Sequence, residues 1–289
     1  MNLKRHIETG VIIDMIIFEN VNYTYDGENK VVENASFKID NGEFVGIIGR
    51  TGSGKSTIIQ MMNGLLKPSS GKVLYNGQSI FDENYNLREL KFKVGLVFQY
   101  PEYQLFECSV IKDVAYGPEN KGLNEEDAVS AAKRALEMVG IPEDKYDKSP
   151  FDLSGGEKKR VAIAGILAME PEVLVLDEPA AGLDPKSRRN LFVLLKRLQK
   201  ESGITIVVVS HSMEDMAEYA DHILVMNNGR VAMNGSTKDV FIDYRSLESM
   251  GLAAPKVTYL MAELKRRGIP ADTNIITMEE AVRCLETLL

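Results

Sequence analysis

Two cysteines in 289 residues, Cys108 and Cys284, leave little material for a disulfide framework or a thiolate metal site. They share no C-x-x-C spacing and have no histidine cluster beside them, so two free thiols in a reducing compartment are expected. Positive charge is also in short supply. The 34 Lys and Arg face 42 Asp and Glu, a formal charge of -8, which repels phosphate backbones at long range and argues against nucleic acid as a partner. No stretch approaches the roughly 20 apolar residues that cross a bilayer, since even the run Ile204–Val209 stops at Ser210 and His211. Any membrane role is therefore expected to be peripheral. The chain opens with basic residues, but its apolar stretch is short and broken by Asp14, which makes a poor signal peptide; residues 1–14 read as a leader. Internal repeats, low-complexity linkers and long heptad series are missing too.

What is present can fold. A hydrophobic share of 44% supplies a sizeable core for one large domain, or for one domain with an appendage. Short β-rich runs alternate with longer helical patterns, the sign of an α/β protein with parallel strands covered by helices. The expected strands are Ile16–Phe18, Ala35–Ile39, Phe44–Ile48, Val94–Phe98, Val173–Leu176 and Ile204–Val209. Several are near-continuous apolar runs, as central strands buried on both faces require. Asn76-Gly77 and Asn228-Gly229 favour hairpin turns, expected at antiparallel margins of the sheet. Strands disappear between Lys112 and Met169, where Glu125–Val139 and Glu157–Ala168 have helical spacing, so a helical subdomain over about 100–169 interrupts the body. Beyond Gly235 the chain reads as helices around Thr237–Tyr244, Lys256–Arg267 and Met278–Leu288, separated by Pro255 and Gly268–Pro270. The division expected is a leader, a body over 15–235 and a helical C-terminal extension over 236–289.

The strongest chemical signal is the run Gly49, Arg50, Thr51, Gly52, Ser53, Gly54, Lys55, Ser56, Thr57, which fits GxxxxGK followed by Ser or Thr between a strand and a helix. Glycines let the backbone curl so that its amides point inward, and the helix N-terminus adds positive potential. Lys55 places charge on the outer phosphates, and Ser56 offers a hydroxyl to Mg²⁺. The alternative is a glycine-rich turn that only caps a helix. A buried strand then ends in Asp177 and Glu178, with Pro179 forcing the chain to turn. An acidic pair at a strand end is commonly a solvated loop; behind a phosphate cradle, Asp177 suits Mg²⁺ and Glu178 suits polarising an attacking water. Ser154, with Glu157 three positions on, is a capping box that needs no nucleotide at all.

Leu153-Ser154-Gly155-Gly156-Glu157, ahead of the acidic pair and opening a helix, resembles the signature segment of ABC ATPases. The other elements of that family follow in its order. Gln99 resembles the Q-loop glutamine that reaches Mg²⁺ and water, Ala181-Gly182-Leu183-Asp184 the D-loop, and His211 the switch histidine at the γ-phosphate. Tyr25 matches the aromatic that stacks on adenine, with Tyr23 a weaker candidate and strand packing as the structural alternative. The resemblance implies an ABC-type P-loop fold with a mixed sheet, ATP and Mg²⁺ as ligands, and a dimer in which Ser154, Gly155 and Gly156 serve the ATP of the opposite subunit. Two departures are Glu157 where glutamine is commoner and Ala180 where many relatives carry Thr or Ser.

Finer likeness extends over nearly the whole chain from Met15. GLVFQYPEYQLFE at 95–107, KDVAYGP at 112–118, SPFDLSGGEKKRVAIAGILAMEPEVLVLDEP at 149–179 and MEDMAEYADHILVMNNGRV at 213–231 resemble energy-coupling factor importers, especially their second A-type ATPase. That family implies a second ATPase subunit, a transmembrane T component and a substrate-binding S component. It also implies vitamins or the metal ions cobalt and nickel as cargo, at the cytoplasmic face of a bacterial membrane. The helical tail resembles an extension used in dimer contacts, the alternative being a cover over exposed core. A soluble ABC ATPase of DNA maintenance or translation would share the nucleotide residues, but such chains carry long coiled-coil insertions or two ATPase halves.

Overall fold

The computed structural model describes residues 14–288, with strands β1 (Asp14–Thr24), β2 (Lys30–Asp40), β3 (Phe44–Gly49), β4 (Ser70–Tyr75), β5 (Gln78–Ser79), β6 (Val94–Val97), β7 (Val173–Asp177), β8 (Thr205–Val209), β9 (His222–Asn227) and β10 (Arg230–Ser236). The leader expected over 1–14 lies outside the described residues except for Asp14, which opens β1. Six strands, in the order β10-β9-β3-β8-β7-β6, form a sheet that is parallel except at its edge strand β10. Every residue of β3, β6, β7 and β8 is buried, as continuous apolar runs demand of strands covered on both faces. Their observed ends lie within one residue of the limits read from the sequence.

A second, four-stranded antiparallel sheet runs β2-β1-β4-β5. No local pattern in the chain marks it as separate. The Asn76-Gly77 turn, expected at a margin of the main sheet, joins β4 to β5 here instead. Burial in β2 comes and goes along the strand, so it has one wet face and pairs antiparallel rather than entering a sheet covered on both sides. Asn76 (φ 49) and Gly77 (φ 78) take the left-handed pair of conformations that a two-residue hairpin requires. Asn228 (φ 48) and Gly229 (φ 78) do the same between β9 and β10, at the expected margin.

The helices are α1 (Lys55–Met62), α2 (Leu87–Lys93), α3 (Val110–Lys121), α4 (Glu125–Met138), α5 (Gly155–Leu167), α6 (Pro185–Ser202), α7 (Met213–Tyr219), α8 (Thr237–Ile242), α9 (Tyr244–Ser249), α10 (Lys256–Arg266) and α11 (Met278–Glu286). No described strand lies between β6 and β7, where α3, α4 and α5 pack together. The spacing that reveals α4 and α5 is interrupted in α3 by Gly117-Pro118, which sits inside the helix. Helix α6 also escaped the sequence reading. Its ends are plainly marked: Asp184 accepts from the backbone N–H groups of Lys186 and Ser187, Pro185 opens the helix, and Gly203 (φ 68) closes it.

Alternation along the buried strands splits the core between the sheet's two faces. Leu174, Leu176, Ile206 and Val208 pack with the helical insert and α6, whereas Val173, Val175, Val207 and Val209 pack with α1 and the antiparallel sheet. In the tail, Val240, Phe241, Leu247 and Ala254 belong to the first of these cores. Val257, Met261, Ala271, Ile275 and Ala281 make a small core of their own between α10 and α11.

Candidate active site

Parallel strands bring their C-terminal ends to one edge of the sheet, the edge at which open α/β sheets bind ligands. At the end of β3 the chain passes through Gly49 into a loop and then into α1. A Cβ on Gly49 would stand 2.3 Å from the carbonyl oxygen of Met226, and one on Gly54 (φ 99) would stand 2.8 Å from that of Val31. Neither position admits a side chain, so the curl of the loop depends on both glycines. Lys55 folds back along the loop, its Nζ donating to the carbonyls of Gly49 at 2.8 Å and Arg50 at 3.0 Å. Burial pulls its pKa down, while the nearby Glu178 and Asp177 carboxylates oppose that shift. Ser56 Oγ donates to Asp177 Oδ2 at 2.9 Å. Thr57 Oγ1 lies 3.2 Å from the hydroxyl of Tyr25, whose exposed ring meets Tyr23 edge-on.

Asp177 is the last residue of β7 and pairs with Val209 of β8. Glu178 follows with φ 47, a left-handed backbone uncommon for a non-glycine residue, and its N–H donates to the carbonyl of Val209 at 3.0 Å. Desolvation, then the adjacent Asp177 charge, push the Glu178 carboxyl up to about 7. Desolvation also raises Asp177 and lowers His211. His211 Nε2 stands 3.1 Å from Glu178 Oε1 but off the line of donation, so this buried oxygen has no hydrogen-bond partner among the described residues. An unpaired acceptor on a desolvated carboxylate is costly unless something else binds there.

The fold therefore gathers Tyr25, the loop from Gly49 to Thr57, Asp177, Glu178 and His211. Gln99 follows β6 and is exposed. Ser154 caps α5 in the expected box: its N–H and Oγ both donate to Glu157 Oε2, at 3.0 and 2.7 Å. Among the described residues, no hydrogen bond or ion pair joins Ser154, Gly155 or Gly156 to Lys55, Asp177, Glu178 or His211. Sequence reading missed the part played by the tail at this edge. A cleft of about 570 Å³ lies between Arg50, Thr51 and His211 on one side and Leu252, Lys256 and Tyr259 on the other. The Arg50 guanidinium packs against Gly251. A contact between segments this far apart leaves no local pattern by which it could have been found.

The ABC transporter family profile matches residues 32–181. The chain is 50% identical over 275 residues to the energy-coupling factor transporter ATP-binding protein EcfA2 of Clostridium perfringens, an alignment covering 93% of this chain and 96% of that one. This chain belongs to the ATP-binding subunits of energy-coupling factor transporters. The counterpart from Clostridium tetani is 52% identical over 271 residues, covering 92% and 94% of the two chains. Among solved structures, cbiO1 of Clostridium perfringens, part of the ABC transporter complex cbiONQ, is 40% identical. It aligns with a TM-score of 0.75, over 86% of this ATP-binding subunit and 99% of that chain. A dimeric ATP-binding cassette in a post-hydrolysis state, bound to ADP and Pi, is 28% identical with a TM-score of 0.66, over 77% and 99% of the chains. Both the fold class and the family resemblance read from the motifs are thus borne out.

Proposed function

We infer that this subunit is the ATP-hydrolysing motor of an energy-coupling factor importer. One observation carries the reading: Lys55, Ser56, Asp177, Glu178 and His211 converge on a single sheet edge, in a chain that is half identical to such subunits over nearly its full length. Gly49, Arg50, Thr51, Gly52, Ser53, Gly54, Lys55, Ser56 and Thr57 cradle the phosphates, with inward amides and the start of α1 supplying positive potential. Tyr25, tethered at Thr57, stacks on the adenine. The unpaired Glu178 oxygen accepts the proton of the attacking water, and His211 beside it contacts the γ-phosphate.

Ser56, Asp177 and Gln99 would hold Mg²⁺. A hydroxyl and a carboxylate oxygen already 2.9 Å apart are the hard oxygen donors this ion takes, so the residues fit it. The ion would neutralise charge on the phosphates. Ser154, Gly155 and Gly156 serve the nucleotide of an opposing subunit, which agrees with their having no bond to the site of their own chain. A second ATPase, identical or related, is therefore needed to complete each site.

No described helix is long and apolar enough to cross a membrane. Translocation then falls to a transmembrane T component and a substrate-binding S component, with this subunit peripheral at the cytoplasmic face and with vitamins, cobalt or nickel as the cargo class. Residues 15–235 act as the nucleotide-binding domain, its helical subdomain over about 100–169, and 236–289 as a C-terminal extension. The test is isolation of the tagged chain from gently solubilised native membranes, followed by mass spectrometry. A polytopic protein recovered with a second ATPase and small membrane proteins supports the importer. Recovery of only ribosomal or chromosomal partners overturns it.

A further inference from the structure

Lys159, in α5, has no part in the reading above, yet its side chain is almost fully out of water at 5% exposure. A buried ammonium needs partners. Three surround it, and they come from two other segments. Its Nζ donates to the carbonyl oxygen of Ala181. The same atom stands 3.9 Å from Glu102 Oε1 and 5.7 Å from the centre of the Tyr100 ring.

Each segment leads to a place of interest. Ala181 closes the turn after the acidic pair, its N–H donating to the carbonyl of Glu178 at 3.1 Å, so this turn starts at the residue whose backbone sits at φ 47. Glu102 sits in the 3₁₀ turn Pro101–Gln104, which begins two residues after Gln99, with Tyr100 and Tyr103 exposed. Glu102 Oε2 is buried with no hydrogen-bond partner among the described residues, so Lys159 is what balances this carboxylate. No hydrogen bond or ion pair among the described residues joins Glu102 to Ala181 directly. The link between the two segments is the ammonium, held at fixed height by a helix.

We propose that Lys159 is a positioning residue that ties the exposed turn after Gln99 to the backbone aiming Glu178. Displacement of Glu102 shifts the ammonium, the ammonium carries the Ala181 carbonyl, and the tight turn passes the shift to the hydrolytic carboxylate. A partner that presses on Tyr100–Gln104 is thereby felt at the water-polarising group. The inference rests on the role given to Glu178 above.

The experiment compares steady-state ATP hydrolysis by the complex purified intact from membranes, carrying Lys159→Met, Lys159→Arg, Glu102→Gln or the Met and Gln changes together. Lys159→Met is expected to lower kcat about tenfold with KM held within about twofold, because aim is lost while ATP binding is kept. Lys159→Arg should keep kcat within about threefold of wild type, since its planar fork also reaches a carbonyl and a carboxylate. Glu102→Gln should lower kcat as well, and the double variant should be no slower than Lys159→Met alone, as residues acting through one contact are not additive. Unchanged kcat in Lys159→Met, an equal loss in Lys159→Arg, or additive losses in the double variant would overturn the link. Should Lys159→Met fail to assemble, the near-isosteric Glu102→Gln decides, and unchanged kcat there overturns the link too. Glu178→Gln is run alongside. Turnover surviving that change refutes the hydrolytic reading itself, whereas turnover lost there but intact in Lys159→Met refutes the link alone.

Discussion

Two side chains at this edge, Glu178 and Lys55, are held in different ways. Glu178 combines a left-handed backbone, a desolvated carboxyl and an unpaired oxygen. Replacing it with Gln keeps the shape and removes the proton acceptor, so ATP turnover should fall by about 100-fold or more while nucleotide binding persists. A phosphate-release assay beside a binding titration checks both halves, and undiminished hydrolysis would remove Glu178 from the mechanism. Lys55 is a different case, since its ammonium is parked on two carbonyls of the loop it serves. Lys55→Ala should raise the Kd for ATP at least about tenfold, because a charge-assisted contact to phosphate is lost. An unchanged affinity in a nucleotide titration would contradict the cradle. Both residue types were legible in the chain, for their motifs are short and contiguous. Lys159 was not: a lysine in a run of Lys and Arg carries no mark of burial until its neighbours in space are known.

Helix α5 shows how an element is anchored by a cap, here within the segment that resembles the family's signature. Glu157 accepts from Ser154, pairs with Lys145 and has its pKa lowered from 4.5 to about 2, first by the Lys145 side chain and then by Ser154. A carboxyl with a folded pKa below its unfolded value stabilises the fold above the unfolded value. That contribution is lost as pH falls through the folded one. Thermal unfolding of wild type and Glu157→Gln should therefore differ fully at neutral pH, with the gap closing between about pH 4.5 and pH 2. A gap constant across that window would show that the ionised carboxylate is not what holds the cap. Element type was readable wherever the period was clean, as in α4, α5 and the buried strands. Within the helical subdomain the period gave no bounds for α3, where Pro118 lies inside the helix, because a chain whose pattern is broken locally can still be held helical by packing through Val110, Val114 and Ala115.

On the scale of the whole chain, the tail is not a simple appendage in its packing. Phe241 is fully buried in the core that also holds Leu174, Ile206 and Phe192, whereas Met261 and Ala281 belong to a small separate cluster. Phe241→Ala should destabilise the protein by about 3–5 kcal/mol, the usual cost of emptying a large aromatic site in a core. Chemical denaturation followed by circular dichroism reads this directly, and a loss under about 1 kcal/mol would place Phe241 outside the cooperative unit. The sequence by itself determined the family, because the motifs that resemble its phosphate cradle, acidic pair, signature segment and switch histidine are each encoded in neighbouring residues. It also determined the strands of the central sheet, since burial on both faces forces unbroken apolar runs. Only the tertiary structure decided that β1, β2, β4 and β5 form their own sheet, that the tail meets Arg50, and that Lys159 joins Glu102 to Ala181. Those facts depend on which distant segments meet, and pairing across long stretches of chain is set by the packing of the whole rather than by any local pattern.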